Sequence, residues 1–558
     1  MSFFKYQAPV HSMLHSLRVM DYHDDIYDFS TVEALLDSVG RFASEEIFPT
    51  NAKGDQQGLV YDPDSFAVKM PAGFNAVYQG IVSQGYSSIA LPSDIGGGGS
   101  PQVLAYQVME MLASTNISLS TCPLLTQGAV GVVNAFGSHE IKQQYLPKMV
   151  TGDWTGTMCL TEPQCGTDLG LIKSAAVADG DHYKISGTKI WITFGEHDMV
   201  DNIIHLVLAK LPDAPSGSHG ISMFIVPKYR LDGSRNSAYC TGLEHKMGSK
   251  ASPTCFMNFD QADGWLIGEP HKGMRAMFAM MNPARLSVGV QALGLSEIAY
   301  QVATTFAKDR RQSRSLDVSK RDMNEEADLI LVHPDVRRML LNVRCFNEGM
   351  RALTAFTAMC LDKGDTERAA LLTPVIKSYG SDQGVAHVSE ALQVLGGAGY
   401  TQDWMIEQFL RDGRITMIYE GTNGIQALDL VGRKLPKEQG KAMLALMAEM
   451  RQDASKLKGV CSEGLSMAIG ELEKCNIWLM THGLKDPEQV AAVASAYLNV
   501  FALTLVAWMW CKLSSSKESS YLRLGDYFTQ QHLDKIKLYS TRVLAGKSIY
   551  FCLNDSEF

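Results

Sequence analysis

The sequence lacks the usual marks of disulfide or zinc chemistry. Its eleven cysteines, at 122, 159, 165, 240, 255, 345, 360, 461, 475, 511 and 552, include no C-x-x-C pair, and their number is odd. Such scattered thiols argue against a disulfide framework and against a zinc site, and point to a reducing compartment. There is no H-E-x-x-H. His11 and His15 are four apart with no carboxylate beside them, which is weak grounds for a metal, and no metal is expected. The amino terminus, MSFFKYQAPVHSMLHS, has neither a basic region nor a long apolar run, so the expectation is a cytoplasmic protein without a secretory signal. Excess positive charge is missing too. Fifty Lys and Arg against sixty Asp and Glu give a net charge of −10, which excludes a general attraction to phosphate backbones.

Nucleotide and nucleophile motifs are equally absent. GGAGY (396–400) is not G-x-G-x-x-G and follows helical sequence rather than a strand. Gly546-Lys547-Ser548 ends like a P-loop, but Thr541 occupies the position of its first glycine, and no G-x-S-x-G elbow occurs. The glycines of LPSDIGGGGSPQ (91–102) read as a turn before a helix rather than a phosphate cradle.

What is present is an ordinary globular composition, 46% hydrophobic and 20% charged, over 558 residues, enough for three or four structural units. Up to about residue 155 the period is helical, with Thr31 as a capped start and Leu35, Val39, Phe42 and Ile47 on one face. From about 156 to 265 the chain alternates (Ile204, Leu206, Leu208; Ile221, Met223, Ile225) between turns such as PDAPSGSHG, which predicts short antiparallel strands. A helical period returns after Pro283, through Val288, Ala292, Leu295, Ile298, Val302 and Phe306, to an end near Arg310. This order predicts an α+β fold: an N-terminal extension (1–34), an N-terminal helical domain (35–155), a central antiparallel β-domain (156–265), a C-terminal four-helix bundle (266–433) and an additional C-terminal helical domain (434–558). Within the last, residues 490–510 run 21 positions without a charge, long enough to span a bilayer but diluted by six alanines. A helix buried within a bundle is the favoured reading, a membrane contact the lesser one.

Two longer strings carry more specific information: MCLTEPQCGTD (158–168) and QVLGGAGYTQDWMIEQFLRDGRITMIYEGTNGIQ (393–426). With KIWITFG (189–195), EHKMGSKASPT (244–254), NPAR (282–285) and KDRR (308–311) in order between them, the chain resembles the acyl-CoA dehydrogenase family over roughly residues 35–430. The resemblance implies an FAD-dependent oxidoreductase that removes an α-proton and a β-hydride from an acyl-CoA thioester, giving the trans-2-enoyl-CoA, as in fatty acid beta-oxidation. It makes Glu420 the general base, and the Ile418, Tyr419 and Gly421 beside it suit a carboxyl whose pKa is raised by desolvation. A subgroup that places its base immediately before the arginine matched by Arg285 is excluded, since Ala284 stands there. For the flavin the resemblance implies Met158, Thr161, Gly166, Thr167, Trp191, Ile192, Thr193, Arg310, Gln393, Gly396, Gly397 and Thr422; for the substrate it implies Arg285, Thr167 and Gly421. Trp191 offers a flat wall, Arg310 paired donors for a pyrophosphate, and the two glycines close backbone approach.

The family's architecture further implies a homodimer or dimer of dimers, with Arg310 and the Gln393 segment reaching a neighbour's FAD, and an electron-transfer flavoprotein as acceptor. Cys165, Lys250, Ser313, Arg314, Gln408 and Gly424 depart from the commonest family pattern, and about 125 residues follow the point where a typical member ends. The departures suggest a subgroup outside the typical short and medium straight-chain enzymes, and the added length, with an amino-terminal YQAPVHSML segment, resembles a larger bacterial subgroup with an extra C-terminal helical domain. The competing reading on the same fold is a DNA-associated flavoprotein of the alkylation-response type. From Lys434 onward, however, 15 basic and 13 acidic residues leave only a +2 balance, too little for that electrostatic footprint, so no nucleic acid partner is expected.

Overall fold

The computed structural model describes residues 4–483, 485–516 and 518–558; residues 1–3 of the amino-terminal extension lie outside the described residues. The backbone divides into two compact units, one formed by Phe42–Val108 and Thr115–Ala284, the other by Met1–Arg41, Met109–Ser114 and Arg285–Phe558. The elements in chain order are α1 (Val10–Val19), α2 (Phe29–Phe42), α3 (Phe48–Gln57), β1 (Val60–Asp62), β2 (Ala67–Lys69), α4 (Phe74–Ser83), α5 (Gln102–Phe136) and α6 (His139–Thr151). Seven strands follow: β3 (Trp154–Cys159), β4 (Ala175–Asp179), β5 (His182–Thr193), β6 (Asn202–Lys210), β7 (Ile221–Pro227), β8 (Ala238–Leu243) and β9 (Thr254–Ile267). The remainder is helical: α7 (Gly273–Asp309), α8 (Pro334–Asp362), α9 (Thr366–Leu395), α10 (Ile406–Gly413), α11 (Asn423–Asp429), α12 (Lys441–Lys456), α13 (Val460–His482), α14 (Pro487–Ser514), α15 (Ser519–Gln531) and α16 (Lys535–Ala545).

In the β-containing unit the pairing closes on itself through β6–β4–β5–β9–β7 and back to β6, with β3 added on β6 and β8 on β9. Most pairs are antiparallel, as the alternation predicted, but β3 and β4 both pair parallel with β6, a correction to an all-antiparallel reading. Alternation in β6 and β7 does not separate a core face from a wet one. Both strands are almost wholly buried. Ile204, Leu206, Leu208, Met223 and Ile225 join the core shared with α5 and α6, while Val207, Ala209, Phe224 and Val226 join a second core with Ile185, Ile192 and Phe259. Each strand thus feeds two cores. The glycine run is the expected turn: a Cβ on Gly97 would lie 2.2 Å from the Leu91 carbonyl oxygen, and one on Gly98 2.6 Å from that of Ile89.

Local chemistry moves two predicted boundaries. Asp28, not Thr31, caps α2, its Oδ1 accepting from the Thr31 amide at 2.7 Å. Helix α7 begins at Gly273 and carries Pro283 inside it, so the proline does not open the helix.

The helical unit is built around two features. The first is α14, the one helix among the described residues long and apolar enough to cross a membrane, which is largely buried against α8, α9, α11, α12, α13, α15 and α16. Trp508 and Trp510 are fully buried on it, and Trp508 Nε1 donates to Asp453 Oδ2 at 2.9 Å. Gly349 of α8 is required where the helices meet, since a Cβ there would lie 3.0 Å from Val506 and 3.1 Å from Trp510 Nε1. The second is the Arg351 guanidinium, 2% exposed. It donates to Glu110 at 2.6 Å, Glu297 at 2.8 Å and Ser12 Oγ at 2.7 Å, and lies 3.5 Å from Glu348. Ser12 also bonds Glu348, which accepts from Tyr521 OH at 3.3 Å. One cation therefore ties α1, α5, α7, α8 and α15 together.

Arg351→Met strands three buried carboxylates without their cation. The expected loss is about 3–5 kcal/mol, read as a lowered midpoint in urea unfolding followed by circular dichroism. A surface control, Arg451→Met, whose guanidinium meets Glu473 across an exposed pair, should leave the midpoint within about 0.5 kcal/mol of the parent.

Candidate active site

In the helical unit, Glu420 lies between a short helical turn ending at Met417 and α11. Its backbone is left-handed (φ 56°), as is that of Gly421 (φ 87°). The first of these is a strained conformation for a residue with a Cβ and needs support. Support comes through the Glu420 carbonyl oxygen, which accepts from Arg285 Nε at 3.3 Å and Gln426 Nε2 at 3.0 Å. Thr422 caps α11 through its Oγ1, and Tyr419 OH donates to Gln291 Oε1 at 2.5 Å. A Cβ on Gly421 would lie 2.8 Å from Gln426 Nε2.

The carboxylate is treated differently from the backbone. Among the described residues none donates a hydrogen bond to it. Burial pushes Glu420 up to about 7, against the pull of the nearby Arg285 and Lys377 charges. The sequence reading credited part of this to Ile418, but that side chain is 46% exposed, so the enclosure comes from packing around the turn. The result is a carboxyl that ionises near neutral pH and has no donor to release when it accepts a proton.

Arg285, which the resemblance implies for the substrate, stands beside the Glu420 turn. It is buried, ion-paired to Asp429 at 3.2 Å, and bonded to the Glu420 carbonyl. These contacts make it a brace for the turn. Elsewhere in the same unit, Arg310 follows the end of α7 with an exposed guanidinium that has no partner among the described residues. Gln393 is exposed near the end of α9; Gly396 (φ 56°) and Gly397 follow it, and a Cβ on either would meet nothing within 4 Å.

The β-containing unit gathers the other predicted residues along the Met158–Asp168 loop and β5. Met158 and Thr161 are half-buried, while Gly166 and Thr167 are exposed. Trp191 is 58% exposed on a left-handed residue (φ 59°) within an irregularity of the β5–β9 pairing, and Thr193 is half-buried. Ile192 is the exception: its side chain lies in the second core at 2% exposure, leaving only its backbone to offer a ligand.

Two residues that hold this loop were passed over in the sequence. Glu162 accepts from Lys189 Nζ at 2.8 Å, the Ser174 hydroxyl and Lys173 amide at 2.6 Å each, and the Ser174 amide at 3.0 Å. Lys189 Nζ also donates to the Leu160 carbonyl at 3.0 Å, and the Ile190 amide to that of Thr161 at 2.9 Å. The loop is thereby fastened to the strand that carries Trp191. Burial opposes ionisation of Glu162, but Lys189 and these donors outweigh it and hold the carboxyl at about 2. Both residues stand inside the quoted strings, but nothing in their 27-residue separation signals that they pair.

Comparison with known proteins follows the same division. The description "Acyl-CoA dehydrogenase, N-terminal domain" matches residues 30–153, its middle domain 157–262 and its C-terminal domain 271–435; "Acetyl-CoA dehydrogenase C-terminal like" matches 444–546. The chain is similar to the 3-methylmercaptopropionyl-CoA dehydrogenase of Ruegeria pomeroyi, 37% identical with 97% of this chain and 96% of the relative covered. Among solved structures, the fold is that of Caenorhabditis elegans ACDH-11 in complex with C11-CoA (TM-score 0.83, 19% identity, 99% of this chain and 97% of that one). It is also that of a Bacillus anthracis acyl-CoA dehydrogenase complexed with FAD (TM-score 0.75, 20% identity, 100% and 93%).

Lys189→Met removes the cation from a buried carboxylate, and a loss of about 3 kcal/mol is expected. It should register as faster amide hydrogen exchange across residues 160–174 than in the parent. Because the folded pKa of Glu162 lies below its ordinary 4.5, the stability it confers is full above that value and is lost as pH falls toward about 2. Glu162→Gln should flatten that acid-side decline in an acid-unfolding curve.

Proposed function

Because the chain belongs to the acyl-CoA dehydrogenase family, whose members are FAD-dependent oxidoreductases, we propose that Glu420 is its general base in the α,β-dehydrogenation of an acyl-CoA thioester to the trans-2-enoyl-CoA. The observation that carries this is a carboxyl raised to about 7 with no hydrogen-bond donor, on a turn held by Arg285 and Gln426 through its backbone.

The residues present suit FAD in each unit. A 58% exposed indole on a left-handed residue is costly to hold against water and offers a flat apolar surface to a ring system. Gly166 beside it is open, a Cβ meeting only the Thr161 methyl at 3.8 Å. In the helical unit, the unpartnered guanidinium of Arg310 suits a diphosphate, and the open Gly396 and Gly397 admit close backbone approach. Met158, Thr161, Thr167, Thr193, Gln393 and Thr422 complete the set we assign to the cofactor. Bound FAD supplies the two-electron acceptor for the hydride that leaves the β-carbon.

The protein's own part is proton chemistry. An α-proton of a thioester is weakly acidic, and a solvated carboxylate near 4.5 is a poor match for it; raising Glu420 to about 7 narrows the gap while leaving roughly half of it ionised at neutral pH. Glu420 takes that proton on a carboxylate oxygen. The backbone bonds from Arg285 and Gln426 keep the carboxylate from swinging away, since rotation of the turn would break both. An electron-transfer flavoprotein as acceptor and a homodimeric or larger assembly complete the reading. Butanoyl-CoA and 3-(methylthio)propanoyl-CoA, which differ in a heteroatom but little in length, are the first substrates to separate.

Anaerobic titration of the flavin-loaded protein with these thioesters should bleach the flavin absorbance band. Glu420→Gln should lose at least about 1,000-fold in the bleaching rate, because it removes the only base. The wild-type rate should rise with pH through about 7, since the ionised carboxylate is the active form. Bleaching that survives in Glu420→Gln would refute the assignment.

A further inference from the structure

Glu420 is surrounded by charges of unequal standing. Arg285 from α7 is ion-paired to Asp429, a single carboxylate that it shares with Arg433 at 2.6 Å and Lys434 at 3.9 Å, and its charge acts on Glu420 more strongly than that of Lys377. From α9 come Lys377 and Asp382, and from α10 Asp412, which lies toward Tyr419. Lys377 is the anomaly. It is fully buried, yet among the described residues no carboxylate lies within ion-pair distance of its ammonium. Among the described residues its ammonium makes one hydrogen bond, to the neutral Asn423 Oδ1 at 2.8 Å, and its other two N–H groups meet no acceptor there. Asn423 is itself fixed on every side. Its amide nitrogen has three acceptors for its two N–H groups, Asp382 Oδ1 at 2.7 Å, Ser381 Oγ at 3.0 Å and the Ser378 carbonyl at 3.2 Å. It is also the first residue of α11, three positions after the base.

We propose that Lys377 is a positioning residue for the base: its ammonium, held through Asn423, anchors the start of α11 behind the left-handed Glu420–Gly421 pair and adds a second positive charge, beside that of Arg285, that favours the ionised Glu420. This rests on Glu420 being the base. Burying a lysine with no carboxylate in direct contact is expensive, and burial lowers Lys377 to about 8 despite the opposing pull of the more distant Asp382 and Glu420. A structural role alone needs no charge there, since a neutral amide could make the same bond to Asn423. The sign of the effect is fixed: a nearby cation stabilises the carboxylate, so removing it raises the pKa of Glu420 and lowers the ionised fraction at neutral pH.

Two variants separate charge from tether. Lys377→Gln keeps a donor for Asn423 and drops the charge; Lys377→Arg keeps both. The readouts are the pH dependence of thioester-driven flavin bleaching and an isotope-edited infrared titration of the Glu420 carboxylate band, identified by its disappearance in Glu420→Gln. Lys377→Gln should move the acid limb and the infrared midpoint upward together by about one pH unit. With that shift, kcat at pH 6.5 falls several-fold and KM stays unchanged. Lys377→Arg should stay with the wild type. A folded, flavin-loaded Lys377→Gln whose limb and midpoint coincide with the wild type overturns the proposal, as does a Lys377→Arg displaced as far as Lys377→Gln. Bleaching that persists in Glu420→Gln refutes the base assignment itself, a distinct result.

Discussion

One guanidinium sets the terms for the helical unit. Arg351 faces Glu110, Glu297 and Glu348 in a site closed to water, and burial drives Glu110 up even with that cation against it. Charges so placed cost several kcal/mol each to desolvate, and only near-complete pairing recovers it. The partners come from distant parts of the chain: Ser12 from the amino-terminal extension, Glu110 from α5, Glu297 from α7 and, through Glu348, Tyr521 from α15. An apolar contact tolerates sliding; a forked donor with fixed acceptors does not. The cluster therefore fixes the register of α7 and α8, on which the placing of Arg285 and hence of the Glu420 turn depends.

Two glutamates in this chain, Glu162 buried and Glu420 half-buried, show what that control of position achieves. Glu162 receives five donors, one of them a buried ammonium, and is held at about 2. Glu420 receives none on its carboxylate, while its backbone carbonyl receives two, and burial takes it to about 7. Same side chain, opposite treatment. Hydrogen bonds to an ionised carboxylate lower its pKa, so a base has to be positioned through atoms other than those that react. The left-handed turn achieves this by turning the carbonyl toward Arg285 and Gln426 and leaving the side chain with enclosure alone, at a conformational cost of about 1–3 kcal/mol.

What was legible in the sequence follows from the range of each signal. The face of α7 from Val288 to Phe306 and the strands at Ile204 and Ile221 are local periodicities, and they emerge where expected. Pro283 misleads because proline marks a first helical turn more often than an interior, yet ten residues of α7 precede it. Alternation in β6 predicts one buried face; it cannot reveal that the sheet closes and puts a second core on the other. The strings around Glu420, Trp191 and Arg310 were legible as motifs. The braces behind them, Lys189 on Glu162 and Lys377 on Asn423, were not, because each pair is made by strand pairing or helix packing between residues 27 and 46 positions apart.

The apolar helix near the carboxyl end then has a definite physical reason. Helix α14 is hydrophobic on all sides, and a soluble unit can keep such a helix only by covering every face. α12, α13, α15 and α16 cover part of it; the rest is covered by α8, α9 and α11, the helices that carry Arg351, Lys377 and Asn423. The dependence is mutual. Without α14, α8 would present Gly349 and Phe356, shaped for Val506, Trp508 and Trp510, to water. A chain ending near residue 430 needs a polar surface there, whereas in this chain the surface is an interior one. The final 125 residues are thus part of the body that holds the base.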